Sequence, residues 1–218
     1  TMVDNKIQRI VFFEPYPMGL GGNFLTQKLI LERLNKTIFE PIVMAPIDGV
    51  ALREFRAMGI KCVVMPPPDS IASYGGIALK ANLLGRIGAA VDLLRYNFTL
   101  ARYFRKNDIS LVYANCVRAQ LFVGFGAIFA RVPTLLYVKG AFENPFVDRL
   151  CLLLASKILF FCPENRDDKY PLFIRLFRKK IDLLLPGMNM KVVDDVKIGD
   201  HSDIRRELGI RSDHINAV

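Results

Sequence analysis

The stretch PYPMGLGGNFLTQKLI (15–30) joins a strand-forming run to a helix-forming one, and Gly19, Gly21 and Gly22 fall at the join. Glycines there let a ligand approach the backbone closely. The unpaired N–H groups and positive dipole end of a helix beginning near Asn23 attract a phosphate. The spacing is not that of the dinucleotide fingerprint, because Phe24 stands where a third glycine is needed. A tight strand-to-helix turn with no ligand explains the same residues. Further along, YVKGAFENPF (137–146) sets Lys139 and Gly140 directly after an apolar run. A cation there can pair with a phosphate or with charge developing on a leaving group; the plainer alternative is a solvent-facing lysine at a strand end. Glu143 and Asn144 follow in the same loop and are placed to bind hydroxyls. In YANCVR (113–118), Asn115 and Arg118 close another apolar run, and Asn115 serves equally well as the N-cap of the next helix.

These residues share a site only if parallel strands carry them to one edge. The runs 8–13, 41–45, 60–65, 110–114, 134–138 and 157–162 are continuously apolar, as strands covered on both faces must be. Between them, 22–35, 49–58, 77–106, 117–130, 146–155 and 165–180 have helical patterns. The alternation predicts an α/β fold, a Rossmann-like doubly wound parallel sheet of right-handed βαβ units. PPPDSIASYGG (66–76) predicts an irregular loop. Over 91–106, the expected buried stripe is Val91, Leu94, Phe98, Ala101 and Phe104, with Arg95, Arg102 and Lys106 opposite. In LFIRLFRKKI (172–181), Leu172, Phe173, Leu176, Phe177 and Ile181 gather on one side, with Arg175, Arg178 and Lys179 on the other.

Bulk composition narrows the chemistry. The only histidines among the 218 residues are His201 and His214, so neither a zinc site nor a Ser-His-Asp triad is expected in the main body. Cys62, Cys116, Cys151 and Cys162 form no CxxC pair and read as reduced, buried thiols. The start lacks the features of a secretory signal, and the longest apolar stretch, 119–130, is too short to span a bilayer. A cytoplasmic protein, peripheral on the inner membrane face, is expected. Thirty Lys and Arg against twenty-one Asp and Glu give +9, which calls for an anionic partner. No nucleic-acid motif accompanies the charge, which leaves a phosphorylated substrate or an anionic membrane surface. Arg95, Arg102, Arg175, Arg178 and Lys179 are the expected lipid contacts, against the alternative of ordinary solvated helix faces.

The order of landmarks adds a resemblance. After the glycine turn come GIKCVVMP (59–66), DISLVYAN (108–115), RVPTLLYVKG (131–140), KILFFCPEN (157–165), LLLPGMNM (183–190) and DIRRELGI (203–210). In that order they resemble the N-terminal domain of GT-B-fold glycosyltransferases of family 4. The resemblance implies an acceptor-binding domain over 1–185, an interdomain crossover over 186–202, and the start of a nucleotide-sugar-binding domain over 203–218. It implies transfer of a sugar, with retention, from a nucleotide sugar to a glycan or lipid-linked acceptor in cell-surface polysaccharide assembly. No cofactor or metal is expected, and the 218 residues alone are expected to be inactive. Gly21 and Gly22 would give N–H groups to the donor phosphate and Asn23 its side-chain amide. Lys139 stands where many members carry a histidine facing the reacting sugar. Two rivals stay open on the same fold: a sugar-nucleotide epimerase, disfavoured by the histidine count, and a flavodoxin-like binding module without catalysis.

Overall fold

The chain is described over residues 7–72, 83–140, 144–162 and 175–185 of a computed structural model. These residues belong to one compact unit, Thr1–Leu185; a second, Pro186–Val218, lies outside them, as do the crossover and second-domain segments expected at 186–202 and 203–218.

Seven strands are described: β1 (Gln8–Phe13), β2 (Phe39–Ala45), β3 (Lys61–Val64), β4 (Ile109–Ala114), β5 (Thr134–Val138), β6 (Lys157–Phe160) and β7 (Ile181–Leu183). They form one parallel sheet in the order β3-β2-β1-β4-β5-β6-β7. The helices are α1 (Gly22–Arg33), α2 (Val50–Ala57), α3 (Asp69–Ala72), α4 (Leu83–Lys106), α5 (Val117–Ala130) and α6 (Pro145–Leu154), with a 3-10 turn at Arg178–Lys180.

The central strands are apolar through their buried stretches, such as Ile10–Phe13 in β1 and Ile42–Ala45 in β2, because each faces two cores. In β1, Ile10 and Phe12 pack with Phe24, Leu31, Leu52 and Phe55, beneath α1 and α2. Val11 and Phe13, on the other face, pack with Leu100, Phe104, Phe122 and Leu152, beneath α4, α5 and α6. Each such fully buried side chain contributes about 1.5–3 kcal/mol relative to exposure. The edges are short and charged, with Lys61 exposed on β3 and Asp182 of β7 paired to Lys157 at 2.6 Å, which discourages further strand addition.

Three predicted features are corrected. The segment 66–76 is not wholly irregular: α3 forms at Asp69–Ala72, and Ser70 Oγ donates to Asp92 of α4 at 2.6 Å. On α4 the buried stripe is Tyr96, Asn97, Leu100, Ala101 and Phe104, whereas Val91, Leu94 and Phe98 are exposed. The helix is turned by its polar groups. Tyr96 OH donates to the Met65 carbonyl at 2.8 Å, and Asn97 Oδ1 accepts from the Gly126 N–H of α5 at 2.6 Å. A Cβ on Gly126 would stand 2.9 Å from the Asn97 carbonyl oxygen, so glycine is what admits this helix-to-helix approach. Finally, the helix predicted over 165–180 is described only from Arg175, and Leu176 is exposed rather than part of a buried stripe. There Lys180 Nζ donates to the carbonyls of Leu152, Leu153 and Ala155, closing the C-terminus of α6 before β7 begins.

Candidate functional site

In a doubly wound sheet, ligands bind outside the carboxyl ends of the strands where the strand order reverses. Here the chain leaves β1 toward β2 and β3 on one side, and the later strands add on the other, so the reversal lies between β1 and β4. Phe13 pairs with Ala114 in register, which puts the next residues, Glu14 and Asn115, side by side at that point. Lys139 follows the last residue of β5, the strand beyond β4.

Asn115 holds the site together. Its Oδ1 accepts from Lys139 Nζ at 2.7 Å and from Tyr113 OH at 3.1 Å. Its Nδ2 donates to the Asn23 carbonyl at 2.7 Å and to Gln27 Oε1 at 3.3 Å. The first turn of α1 and the cation after β5 are therefore tied through one fully buried amide. The N-cap alternative for Asn115 does not hold: Cys116 occupies that position on α5, and its side chain makes no cap bond. The solvent-facing alternative for Lys139 fails too: the residue is half-buried and its Nζ donates to the buried Asn115, and burial pushes its pKa down to about 8, against partial support from the charges of Cys116 and Glu14. Asn115→Ala removes four hydrogen-bond partners at once. It should cost about 2–4 kcal/mol of stability in denaturant unfolding, more than any one of those bonds contributes alone.

The glycine turn lies against this cluster. Gly21 is the N-cap of α1, with no side-chain cap bond, and Gly22 opens the helix. A Cβ on Gly19, Gly21 or Gly22 would meet nothing within 4 Å, and none has a positive φ. The fold itself does not require glycine at these positions. The base of the turn is fixed. Ala51 N–H donates to the Pro17 carbonyl at 3.0 Å, and a Cβ on Gly49 would sit 2.3 Å from that same oxygen. On the other flank the Arg118 guanidinium lies 4.9 Å from the centre of the Tyr16 ring.

Asn144 has a structural duty. It caps α6, accepting from the Phe146 and Val147 N–H groups, while Asp148 accepts from its own N–H at 3.0 Å. Its Oδ1 is thus committed to the helix. Asn144→Ala should cost about 1 kcal/mol, the usual value of such a cap, read as a shift in unfolding midpoint. Glu143 lies outside the described residues.

Glu14 is the residue that sequence reasoning missed. It is 1% exposed; Oε1 accepts from Tyr16 N–H at 2.9 Å, and Oε2 has no partner among the described residues. Burial raises its pKa, an effect opposed by the Tyr16 N–H and by Lys139. The only signal in the sequence was a lone acid directly after an apolar run. Gln27 Nε2 is likewise buried without a partner among the described residues. The edge thus carries a cation, a carboxylate and helix-terminal N–H groups, a set able to bind an anion and orient hydroxyls.

The architecture is similar to one half of the GT-B fold. HepE from Anabaena, solved with UDP and glucose, matches with a TM-score of 0.60 at 16% identity over 93% of this chain and 50% of its own. A glycosyltransferase from Rickettsia africae matches at 0.60 and 12% identity, over 95% and 51%. Sucrose-phosphate synthase from Thermosynechococcus elongatus matches at 0.56 and 13%, over 94% and 53%. The chain spans about half the length of each. No protein-family model matches the sequence, and no curated protein does.

Proposed function

We propose that this chain is the acceptor-side half of a nucleotide-sugar-dependent glycosyltransferase resembling family 4, acting on a glycan or lipid-linked acceptor in cell-surface polysaccharide assembly. The observation that carries the reading is the Lys139–Asn115–Asn23 chain of hydrogen bonds, which fixes a cation beside the N-terminus of α1 at the sheet's reversal point. During transfer the bond from the anomeric carbon to the diphosphate oxygen breaks and its electron pair stays on phosphate. Lys139 and the N–H groups at Gly22 and Asn23 stabilise that charge, and preorganised donors of this kind are the largest usual contribution to catalysis. Glu14 stands on the acceptor side of this site, and retention of configuration is the outcome the resemblance favours. The groups that grip the nucleotide and donor sugar belong to a second domain.

The reading is tested by titration calorimetry with UDP-, GDP- and ADP-sugars. The 218-residue chain should show no binding in the micromolar range. The same chain extended by a second domain should bind one of them and pass its sugar to an acceptor. Micromolar binding by the 218 residues alone would overturn the half-site reading in favour of a self-sufficient nucleotide module.

A further inference from the structure

A positive charge at Lys139 is held in surroundings that oppose it. The residue is half-buried, and Nζ donates to Asn115 Oδ1 at 2.7 Å, a neutral acceptor that offsets only part of what an ammonium loses on leaving water. The elements around it add positive potential. The N-terminus of α1 is tied in through the Asn115–Asn23 bond, and α5 begins at Val117 with Arg118 in its first turn. The Tyr137 ring lies 5.5 Å from Nζ, and Tyr113 donates to the same Asn115 oxygen; burial raises both phenols, so neither carries charge. Cys116 is likewise raised by burial above its ordinary 9.0, so its thiol is neutral while Lys139 holds its proton.

Glu14 supplies the opposite sign. It follows Phe13, which pairs with Ala114 just before Asn115, and its own N–H donates to the Met44 carbonyl at 2.8 Å, so β4 and β2 fix it from both sides. Oε1 accepts from the Tyr16 N–H at 2.9 Å, while Oε2 has no partner among the described residues. Local donors therefore answer only part of the carboxylate's charge. With almost no water against it, the remainder is weakly screened and acts across the site on Lys139, as Lys139 acts on it. We propose that Glu14 is the counter-charge of Lys139, a buried carboxylate that keeps the ammonium protonated at the sheet's reversal point. Glu14 is on this account a positioning residue, acting through Lys139. The alternative is a neutral carboxyl that only fills space.

The pairing rests on the transferase reading only for the use made of the cation, so the first test reads the proton on Lys139 without activity. Trace acetic anhydride acetylates only the unprotonated amine, and peptide mass spectrometry follows each lysine of the 218-residue chain across pH. Lys139 should become reactive around pH 8. Loss of a nearby opposite charge lets an amine give up its proton earlier. Glu14→Gln should therefore bring that midpoint down by about 1 pH unit, a roughly tenfold lower ratio of charged to neutral amine. Glu14→Asp, which keeps the charge, should recover most of the difference. Cys116→Ser should leave the midpoint in place, and the exposed Lys61 and Lys179 in the same samples should not change.

A measurement on the unmodified chain guards against a Glu14→Gln variant that does not fold. The carboxyl carbon of Glu14, followed by carbon NMR, should report an ionised group at neutral pH and respond again near pH 8 as Lys139 loses its proton. A Glu14 carboxyl still protonated at neutral pH, a Lys139 midpoint unmoved by Glu14→Gln, or one moved equally by Gln and Asp would each overturn the proposal. In the proposed two-domain enzyme, the alkaline limb of kcat/KM should move down with Glu14→Gln by the same interval as the labelling midpoint. A moved labelling midpoint beside an unmoved limb would uphold the pairing and count instead against the catalytic part assigned to Lys139.

Discussion

Lys139→Met should leave the protein as stable as before, or more stable, while removing most of its activity. The ammonium is largely withdrawn from water, and that burial brings its pKa down to about 8 from an ordinary 10.5. A folded-state pKa below the unfolded value means that the unfolded chain holds the proton more tightly. The charge therefore opposes folding in full below about pH 8, and the penalty fades as pH rises toward 10.5. Methionine fills similar space without that penalty, and Asn115 Oδ1 keeps the Tyr113 hydroxyl. In the proposed two-domain enzyme, where this cation is assigned to the departing diphosphate, its loss should lower kcat/KM about 100- to 1,000-fold. The wild-type rate should itself decline on the alkaline side near pH 8, over the range where thermal stability begins to rise. Such opposed trends mark a charge kept for function. A variant with normal rates and a lower melting point would make Lys139 a structural residue.

Gly22→Val should leave the fold intact and reduce turnover at least about 100-fold. A Cβ there meets nothing within 4 Å and the residue has no positive φ, so neither clash nor backbone strain opposes valine. Helix propensity slightly favours the change, and stability should move by no more than about 0.5 kcal/mol. The loss would come from the ligand side, where a side chain blocks approach to the first N–H groups of α1. Gly49→Val is the contrasting control. Its Cβ would lie 2.3 Å from the Pro17 carbonyl oxygen, so it should lose stability first and activity only as a result. Calorimetric unfolding and steady-state kinetics on both variants separate the cases. Normal turnover by Gly22→Val would reduce the glycine turn to a connection.

What the sequence disclosed follows from which interactions are local. The runs at 8–13 and 134–138 coincide with β1 and β5 because a strand buried on both faces is apolar along its buried stretch, Ile10–Phe13 and Leu135–Val138 here, which is visible without knowing its neighbours. The glycine turn and Lys139 were visible for the same reason, each standing at the end of such a run. The register of α4 was not. That helix carries apolar residues on more than one side, and the choice between sides rests on Asn97 meeting Gly126, 29 residues away. Asn115 was legible as a site residue but not as the hub of one, because the bond to Asn23 spans 92 positions. Glu14 was passed over since a carboxylate after a strand is ordinary; its burial, with no partner for Oε2 among the described residues, arises only in the folded domain.

The seating of Pro17 against Gly49 bears on the timing of ligand capture. A loop that takes its shape only around a ligand charges its ordering entropy to binding, at roughly 1–2 kcal/mol for each backbone residue fixed. Here the base of the glycine turn is fastened to α2 at Pro17 and lies beside Arg118 at Tyr16 before any ligand arrives. That entropy is lost when the domain folds, and only the tip, from Met18 to Gly21, is left to adjust. Encounter with a phosphate is then governed by diffusion and the attraction of the cationic edge, rather than by a slow search among loop shapes.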